Sequence, residues 1–352
     1  MRKENIPKTI KAAVLTGINK PLELRNLEIN KLLPGQVLVK ILYSGVCRSQ
    51  LMEMEGKRGE DNWIPHLLGH EGSGVVIKVG SAVTKFKSGD EVILTWIKCK
   101  GLEEKGAEYL SQGEVIHSGP VTTFSNYSIV SENRIVKKPV GLPFDTAILF
   151  GCALPTGAGM VLKELNISAK SSVIVIGLGG IGLSAIVMLL SLDVKNLMAI
   201  DISDEKLEEV KSWGVSHIIN ANKPNLKELV NEVIPGGVDF CIESAGQTST
   251  IELGFSLIRK NGGQLLFASH PPEGEFITLS PHELISGKQI AGSWGGGVMP
   301  DKDIPILYKN LASSNIPLNT LLSNPYSLEE INQALDDLET GKALRPLIKM
   351  EH

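Results

Sequence analysis

From Val173 to Leu192 the chain runs for twenty residues without a charge. By length and hydropathy alone such a run passes for a membrane-spanning helix. It also holds Gly177, Gly179, Gly180 and Gly182, and glycines at that density break a helix interior. The run therefore divides into a short buried strand, Val173 to Ile176, a glycine turn, and an amphipathic helix from Ile181 to Ser191. The turn, Gly177-Leu178-Gly179-Gly180-Ile181-Gly182, matches GxGxxG, and Asp201 follows at the end of the next apolar strand. In that context the glycines let the backbone approach a pyrophosphate at a helix N-terminus, while the carboxylate accepts from ribose hydroxyls. A carboxylate there repels a 2′-phosphate, which favours NAD over NADP. Lys206, one helical turn further on, either reaches the same ribose or lies on a solvated helix face.

The pattern around the turn repeats. Strand patterns at Val173 to Ile176, Leu197 to Ile200, His217 to Ile219, Val238 to Ile242, Gln264 to Ala268 and Gln289 to Ala291 alternate with helix patterns at Ile181 to Ser191, Asp204 to Trp213, Leu226 to Val233 and Ser249 to Arg259. Six strands so spaced predict a doubly wound parallel sheet, a Rossmann fold, over residues 155–295. Residues 1–154 read differently. Short strands such as Gln36 to Leu42, Ser73 to Val79 and Glu91 to Ile97 are separated by Gly and Pro turns, which predicts a partly open β-barrel with helical insertions. Residues 296–352 add amphipathic stretches at Ile304 to Ser313 and Leu328 to Leu338, the second opened by a Ser327/Glu330 capping box, and a strand at Leu347 to Met350. They are too few for a domain and are expected to complete the first one.

Composition narrows the function classes. With 35 basic and 39 acidic residues the formal net charge is -4, and no basic run offers a nucleic-acid footprint. The opening Met1 to Lys11 is polar and basic without an apolar core, so no secretory signal is read there. Cys47, Cys99, Cys152 and Cys241 lie far apart with no CxxC pair, which fits neither a disulfide scaffold nor a zinc finger. We expect a cytoplasmic protein with reduced thiols that works neither on nucleic acid nor in a membrane.

Cys47, His70-Glu71 and Cys152 form a second constellation. Singly, a buried cysteine is usually a small hydrophobe and a loop histidine an ordinary hydrogen-bonding group. Each, however, sits in a glycine-rich segment: Gly45-Val46-Cys47-Arg48-Ser49, Gly69-His70-Glu71-Gly72 and Gly151-Cys152-Ala153-Leu154-Pro155-Thr156-Gly157. Three N/S ligands from distant loops, with a fourth position open, match catalytic rather than structural zinc.

These motifs, together with Arg345-Pro346-Leu347-Ile348-Lys349 near the C-terminus, resemble the zinc-containing medium-chain dehydrogenase/reductase family, alcohol dehydrogenase branch, over essentially the whole chain. A related polyol branch has glutamate where this chain has Cys152. The resemblance implies a GroES-like catalytic domain beside the Rossmann domain, one catalytic zinc on Cys47, His70 and Cys152 with Glu71 behind it, and NAD(H) as cofactor. It also implies that Arg48 and Arg345 contact the pyrophosphate, that Thr156 lies against the nicotinamide, and that Ser49 accepts the hydroxyl proton of a small alcohol that is interconverted with an aldehyde or ketone. A homodimer is expected through the edge of the cofactor sheet, with a tetramer as the alternative.

The chain departs from the family in three places. The lobe that carries four closely spaced cysteines in relatives keeps only Cys99 here, so no structural zinc is expected. Gln50 replaces an aspartate that orients the histidine ligand, and Met52 replaces a histidine that ends the proton relay. His270 is a candidate substitute for that relay or an ordinary loop histidine. Trp96, His270 and Trp294 are candidate pocket residues, although a tryptophan in an apolar strand such as Trp96 is more often core. The rival readings are a zinc-free quinone or enoyl reductase of the same superfamily, which the Cys/His/Cys set disfavours, and a non-catalytic dinucleotide-binding protein.

Overall fold

The computed structural model describes residues 7–312 and 316–352; Ser313, the end of one expected helix, lies outside them. By backbone contacts the chain divides into two compact units, one of residues 1–152, 299–308 and 318–352, the other of residues 153–298 and 309–317.

Unit two contains a six-stranded, wholly parallel sheet. Its strands lie in the order His217–Asn220, Asn196–Asp201, Ser172–Ile176, Phe240–Glu243, Gln264–Phe267, Gln289–Gly292. Numbered along the chain this is 3-2-1-4-5-6, the doubly wound arrangement. The central strand, Ser-Val-Ile-Val-Ile, is buried on both faces from Val173 onward, as a parallel strand covered by helices requires. Ile174, Ile176, Met198, Ile200, Cys241, Phe255 and Leu265 form one side of its core. The uncharged run thus resolves into that strand, a turn, and the helix Gly180–Ser191. Among the described residues no single helix is long and apolar enough to cross a membrane. The fourth strand starts later than its apolar pattern, at Phe240, because Val238 is taken by an isolated bridge to Ile258.

In unit one, Thr9–Leu15, Glu23–Glu28, Glu108–Ser111, Glu114–His117 and His66–Leu67 close into a small barrel, with His66–Leu67 pairing back to Thr9–Leu15. A second, open sheet of seven strands is built on the long strand Gln36–Gly45, which pairs antiparallel with Glu71–Val79, Tyr127–Ser131 and Leu347–Lys349. Ile10, Val14, Leu27, Leu38, Tyr109, Ile116 and Ile129 pack in one cluster, and Val37, Val39, Val76, Val92, Leu94 and Ile348 in another. The Ser327/Glu330 capping box is present, opening a single turn that leads into the helix Ile331–Glu339. The helix expected from Ile304 begins earlier, at Pro300, a residue that suits a first helical turn.

The glycine turn is a packing device as well as a turn. A Cβ at Gly182 would lie 1.9 Å from the Gly177 carbonyl oxygen, and one at Gly177, which has φ +88°, would meet the Ala245 backbone at 2.6 Å. Gly179 faces open space. Gly182→Ala is therefore expected to cost about 1–3 kcal/mol through overpacking, a fall of several degrees in Tm. Gly179→Ala is expected to leave Tm within a degree or so of wild type, both being read by thermal unfolding of the cofactor-free chain.

Candidate active site

Antiparallel pairing assembles the site. Gln36–Gly45 runs toward Cys47, Glu71–Val79 begins just after His70, and the register Ser44↔Gly72 brings both segments out at one end of the sheet. Leu347↔Gly45 delivers Arg345 to the same end. Cys152 follows the single turn Ile148–Gly151. A Cβ on Gly151 would strike the Leu94 carbonyl oxygen at 2.5 Å and the Glu71 Cβ at 2.7 Å, so only glycine allows that approach.

The two Sγ atoms and a His70 ring nitrogen all lie within 4.8 Å of one another. His70 Nε2 faces Cys152 Sγ at 3.2 Å, and the Gln50 amide lies 2.7 Å from His70 Nδ1. Gln50 Oε1 accepts from the Cys47 backbone N–H at 2.8 Å, and its amide also reaches Ser49 Oγ at 3.3 Å. One glutamine side chain thus fixes the histidine ring, the cysteine that caps the helix Arg48–Met54, and the serine in its first turn. Arg48 begins that helix and is exposed, and Met52 lies further along it.

Behind these groups Glu71, fully buried, accepts from Arg345 Nη2, itself 5% exposed. Burial raises the Glu71 carboxyl above its usual range, opposed by the Arg345 charge. The Cys47 thiol is held well below its usual value, first by a hydrogen bond from Cys152, then by the charge of Arg345 and by His70. The Cys152 thiol is pushed up, chiefly by the Cys47 sulfur it faces and by burial. Glu71 Oε1 has no hydrogen-bond partner. Two thiol sulfurs, an imidazole nitrogen and a buried carboxylate against a single guanidinium leave the site short of positive charge. That donor set fits a borderline divalent ion such as zinc. The other two thiols differ: burial pushes Cys99 up to about 12 and Cys241 well above its usual value, so both are unreactive.

The remaining candidates lie in unit two, apart from Trp96. Asp201 Oδ2 accepts from the Leu178 N–H at 2.6 Å and Oδ1 from the Ser203 N–H at 2.9 Å, so this carboxylate braces the glycine turn as well as ending its strand. The Lys206 backbone N–H donates to the Ser203 cap, and the residue is half-buried. Ile181 follows Gly180 in the helix of the turn. Thr156 is buried in the short helix Ala153–Gly159, where Gly157 packs against the Ile181 carbonyl. His270 and Trp294 meet edge to face, with ring centroids 6.2 Å apart. Trp96, in unit one, is half-buried and its carbonyl accepts from Arg134. Sequence reasoning missed the Glu71–Arg345 pair, whose partners are 274 positions apart, and the Asp201 brace on Leu178. Nothing local in the sequence signals either contact.

Residues 33–140 match the family Alcohol dehydrogenase GroES-like domain, and residues 180–313 match the family Zinc-binding dehydrogenase. The chain belongs to the zinc-containing medium-chain dehydrogenase/reductase family. Membership makes it an alcohol dehydrogenase-like oxidoreductase with a small-molecule substrate. Two solved structures of this type cover nearly all of it. An alcohol dehydrogenase zinc-binding domain protein from Burkholderia ambifaria is 26% identical over 98% of this chain and 99% of that one, with a TM-score of 0.89. Benzyl alcohol dehydrogenase from Acinetobacter calcoaceticus is 29% identical over 98% and 100%, with a TM-score of 0.88. An alcohol dehydrogenase from E. coli CFT073, complexed with NADH, shares the fold at 20% identity over 97% and 100%, with a TM-score of 0.79.

In this medium-chain dehydrogenase the buried ion pair is a testable liability. Glu71→Ala leaves the Arg345 charge buried without its carboxylate and is expected to cost about 3–5 kcal/mol. The Glu71→Met/Arg345→Met double variant should recover most of that loss in chemical denaturation.

Proposed function

We propose that this protein is a zinc- and NAD-dependent alcohol dehydrogenase that interconverts a small alcohol and the corresponding aldehyde or ketone. The observation that carries the reading is the convergence of Cys47, His70 and Cys152 within 4.8 Å, on a chain that also presents a glycine turn braced by Asp201. Residues 1–154 with 296–352 would form the catalytic domain and residues 155–295 the NAD-binding domain. When bound, zinc supplies the Lewis acidity that eases ionisation of an alcohol hydroxyl, and NAD supplies the hydride acceptor. Cys47, His70 and Cys152 would hold the metal.

The protein's own groups have distinct tasks in this scheme. Gln50 keeps the His70 ring in place, which sets the direction of its ligand nitrogen. Ser49 takes the substrate hydroxyl proton. With Met52 where a relay histidine would stand, Ser49 would hand that proton on toward water. Glu71, carrying Arg345, adds negative charge behind the metal. In unit two, Gly177, Gly179, Gly180, Ile181 and Gly182 would let backbone N–H groups face a pyrophosphate, Asp201 with Lys206 beside it would hold the adenosine ribose, and Thr156 would orient the nicotinamide. Arg48 and Arg345 contribute charge toward the pyrophosphate. Trp96, His270 and Trp294 are assigned to the substrate pocket.

The exposed edge strand Gln289–Gly292 supports a homodimer through the cofactor sheet, with a tetramer as the larger assembly. Thiolate ligands at Cys47 and Cys152 suit a reducing, cytoplasmic compartment.

Initial rates over a panel of primary, secondary and aromatic alcohols should show NAD reduction that chelation abolishes and added zinc restores. Cys47→Ser should reduce it at least about 100-fold, a loss of roughly 2.7 kcal/mol. Full activity in Cys47→Ser would remove the metal from the account. Asp201→Ala should lower the NAD-over-NADP preference by about tenfold or more, since the carboxylate no longer repels a 2′-phosphate.

A further inference from the structure

A second group of metal-ligating side chains lies in unit one outside the Cys47 site. Ligand atoms of Glu53, Asp61 and His66 fall within 4.8 Å of one another. His66 is 7% exposed, and the Asp61 and Glu53 side chains are 13% and 31% exposed. Asp61 is aimed by its other oxygen, Oδ1, which accepts the Trp63 backbone N–H at 2.9 Å.

The His66 ring sets the chemistry. Nδ1 lies 3.0 Å from the Leu67 carbonyl oxygen, and Nε2 lies 2.7 Å from Asp61 Oδ2. Both partners are acceptors, and a neutral imidazole has one N–H to give. With that proton on Nδ1, donated to the carbonyl, Nε2 turns its lone pair toward Asp61, and the two atoms meet through a shared proton or, once Asp61 moves outward, through a cation. An N–H donated to a backbone carbonyl is the usual outer contact of a metal-binding histidine, and it leaves the other nitrogen's lone pair for the ion. Glu53 adds a second carboxylate within 4.8 Å. The basic group against it, Arg58, is on the surface with Nη1 3.6 Å from Glu53 Oε2, a separation at which an exposed pair contributes little. His117, across the register from His66, directs its ring edge-to-face against Trp63.

We propose that Glu53, Asp61 and His66 form a second divalent-cation site, separate from the Cys47 site and independent of its assignment. One nitrogen and two carboxylate oxygens suit zinc, cobalt or manganese, whereas the Cys47 set favours softer thiolate chemistry. Metal–ligand distances of about 2.0–2.2 Å hold neighbouring donor atoms roughly 3.3 Å apart, so Asp61 swings outward by about half an ångström on binding. The site spans two arms of the fold. Glu53 lies in the last turn of the helix that begins at Cys47, and His66 opens the two-residue strand that leads to His70. An ion held there closes the intervening loop and ties together the segments that carry Cys47 and His70.

Cobalt distinguishes the two sites, because thiolate ligands give an intense charge-transfer absorption that nitrogen and oxygen ligands lack. Equilibrium dialysis of the metal-free full-length chain against Co²⁺ should show two equivalents bound, the charge-transfer band following only one of them. Asp61→Asn and His66→Gln should each weaken the spectroscopically silent equivalent at least tenfold and keep the band. Glu53→Gln, on the helix surface, should weaken it about tenfold with the fold intact. The Cys47→Ser/Cys152→Ser variant should lose the band and keep the silent equivalent, and amide exchange across residues 55–63 should slow when that equivalent binds. A single equivalent in wild type that carries the band, or a silent equivalent undiminished in all three single-site variants, overturns the proposal. Loss of the band alone in wild type would count against the Cys47 site and leave this one standing.

Discussion

The register of one long strand decides where the chemistry of unit one is gathered. Gln36–Gly45 pairs antiparallel with Glu71–Val79 and with Leu347–Lys349, and both pairings end at the same edge. Cys47, His70, Glu71 and Arg345, spread over about 300 positions, become neighbours for that reason alone. Successive side chains alternate between sheet faces, so a slip of one residue in either pairing would turn Glu71 away from Arg345. The register shifts within the Gln36–Gly45 and Glu71–Val79 pair are consistent with a ladder shaped to aim particular side chains.

Charge is the second constraint. A carboxylate as deeply buried as Glu71 is tolerated only when paired, and Arg345 supplies the partner. The same guanidinium favours ionisation of Cys47, while Cys47 in turn suppresses ionisation of Cys152. Two sulfurs, an imidazole and a carboxylate thus lean on one positive group, and a divalent cation would relieve the imbalance. A different buried carboxylate ties the segment after Cys99 to the turn before Phe86. Glu132 Oε1 accepts from the Thr84 and Lys85 N–H groups and Oε2 from Leu102 N–H, at 2.7–3.0 Å, holding the two backbone segments together.

The cofactor-type sheet was legible in the sequence because its signals are local. A strand buried on both faces is an unbroken apolar run, and a glycine turn followed by a helix is written in consecutive residues; Ser172–Ile176, Gly180–Ser191 and Asp204–Trp213 match their patterns to within a residue. Unit one was legible in class but not in arrangement, because its short strands pair across long sequence gaps. His66–Leu67, which closes the barrel, is too short to carry a period of its own. The thiol and histidine candidates were visible through their glycine contexts, and the structure gives part of the reason: Gly45 and Gly151 leave no room for a Cβ beside Glu71. The Glu71–Arg345 pair, the Glu132 hub and the Asp61–His66 contact depend on tertiary approach and had no local pattern to read.

In the proposed function Cys47, His70 and Cys152 together hold the catalytic metal. X-ray absorption at the zinc edge, on full-length protein loaded with one equivalent of zinc, tests it most directly. Two sulfur neighbours at about 2.3 Å are expected, with nitrogen or oxygen neighbours at about 2.0–2.2 Å completing four-coordination. A zinc shell without sulfur, or one made of four sulfurs, would contradict it.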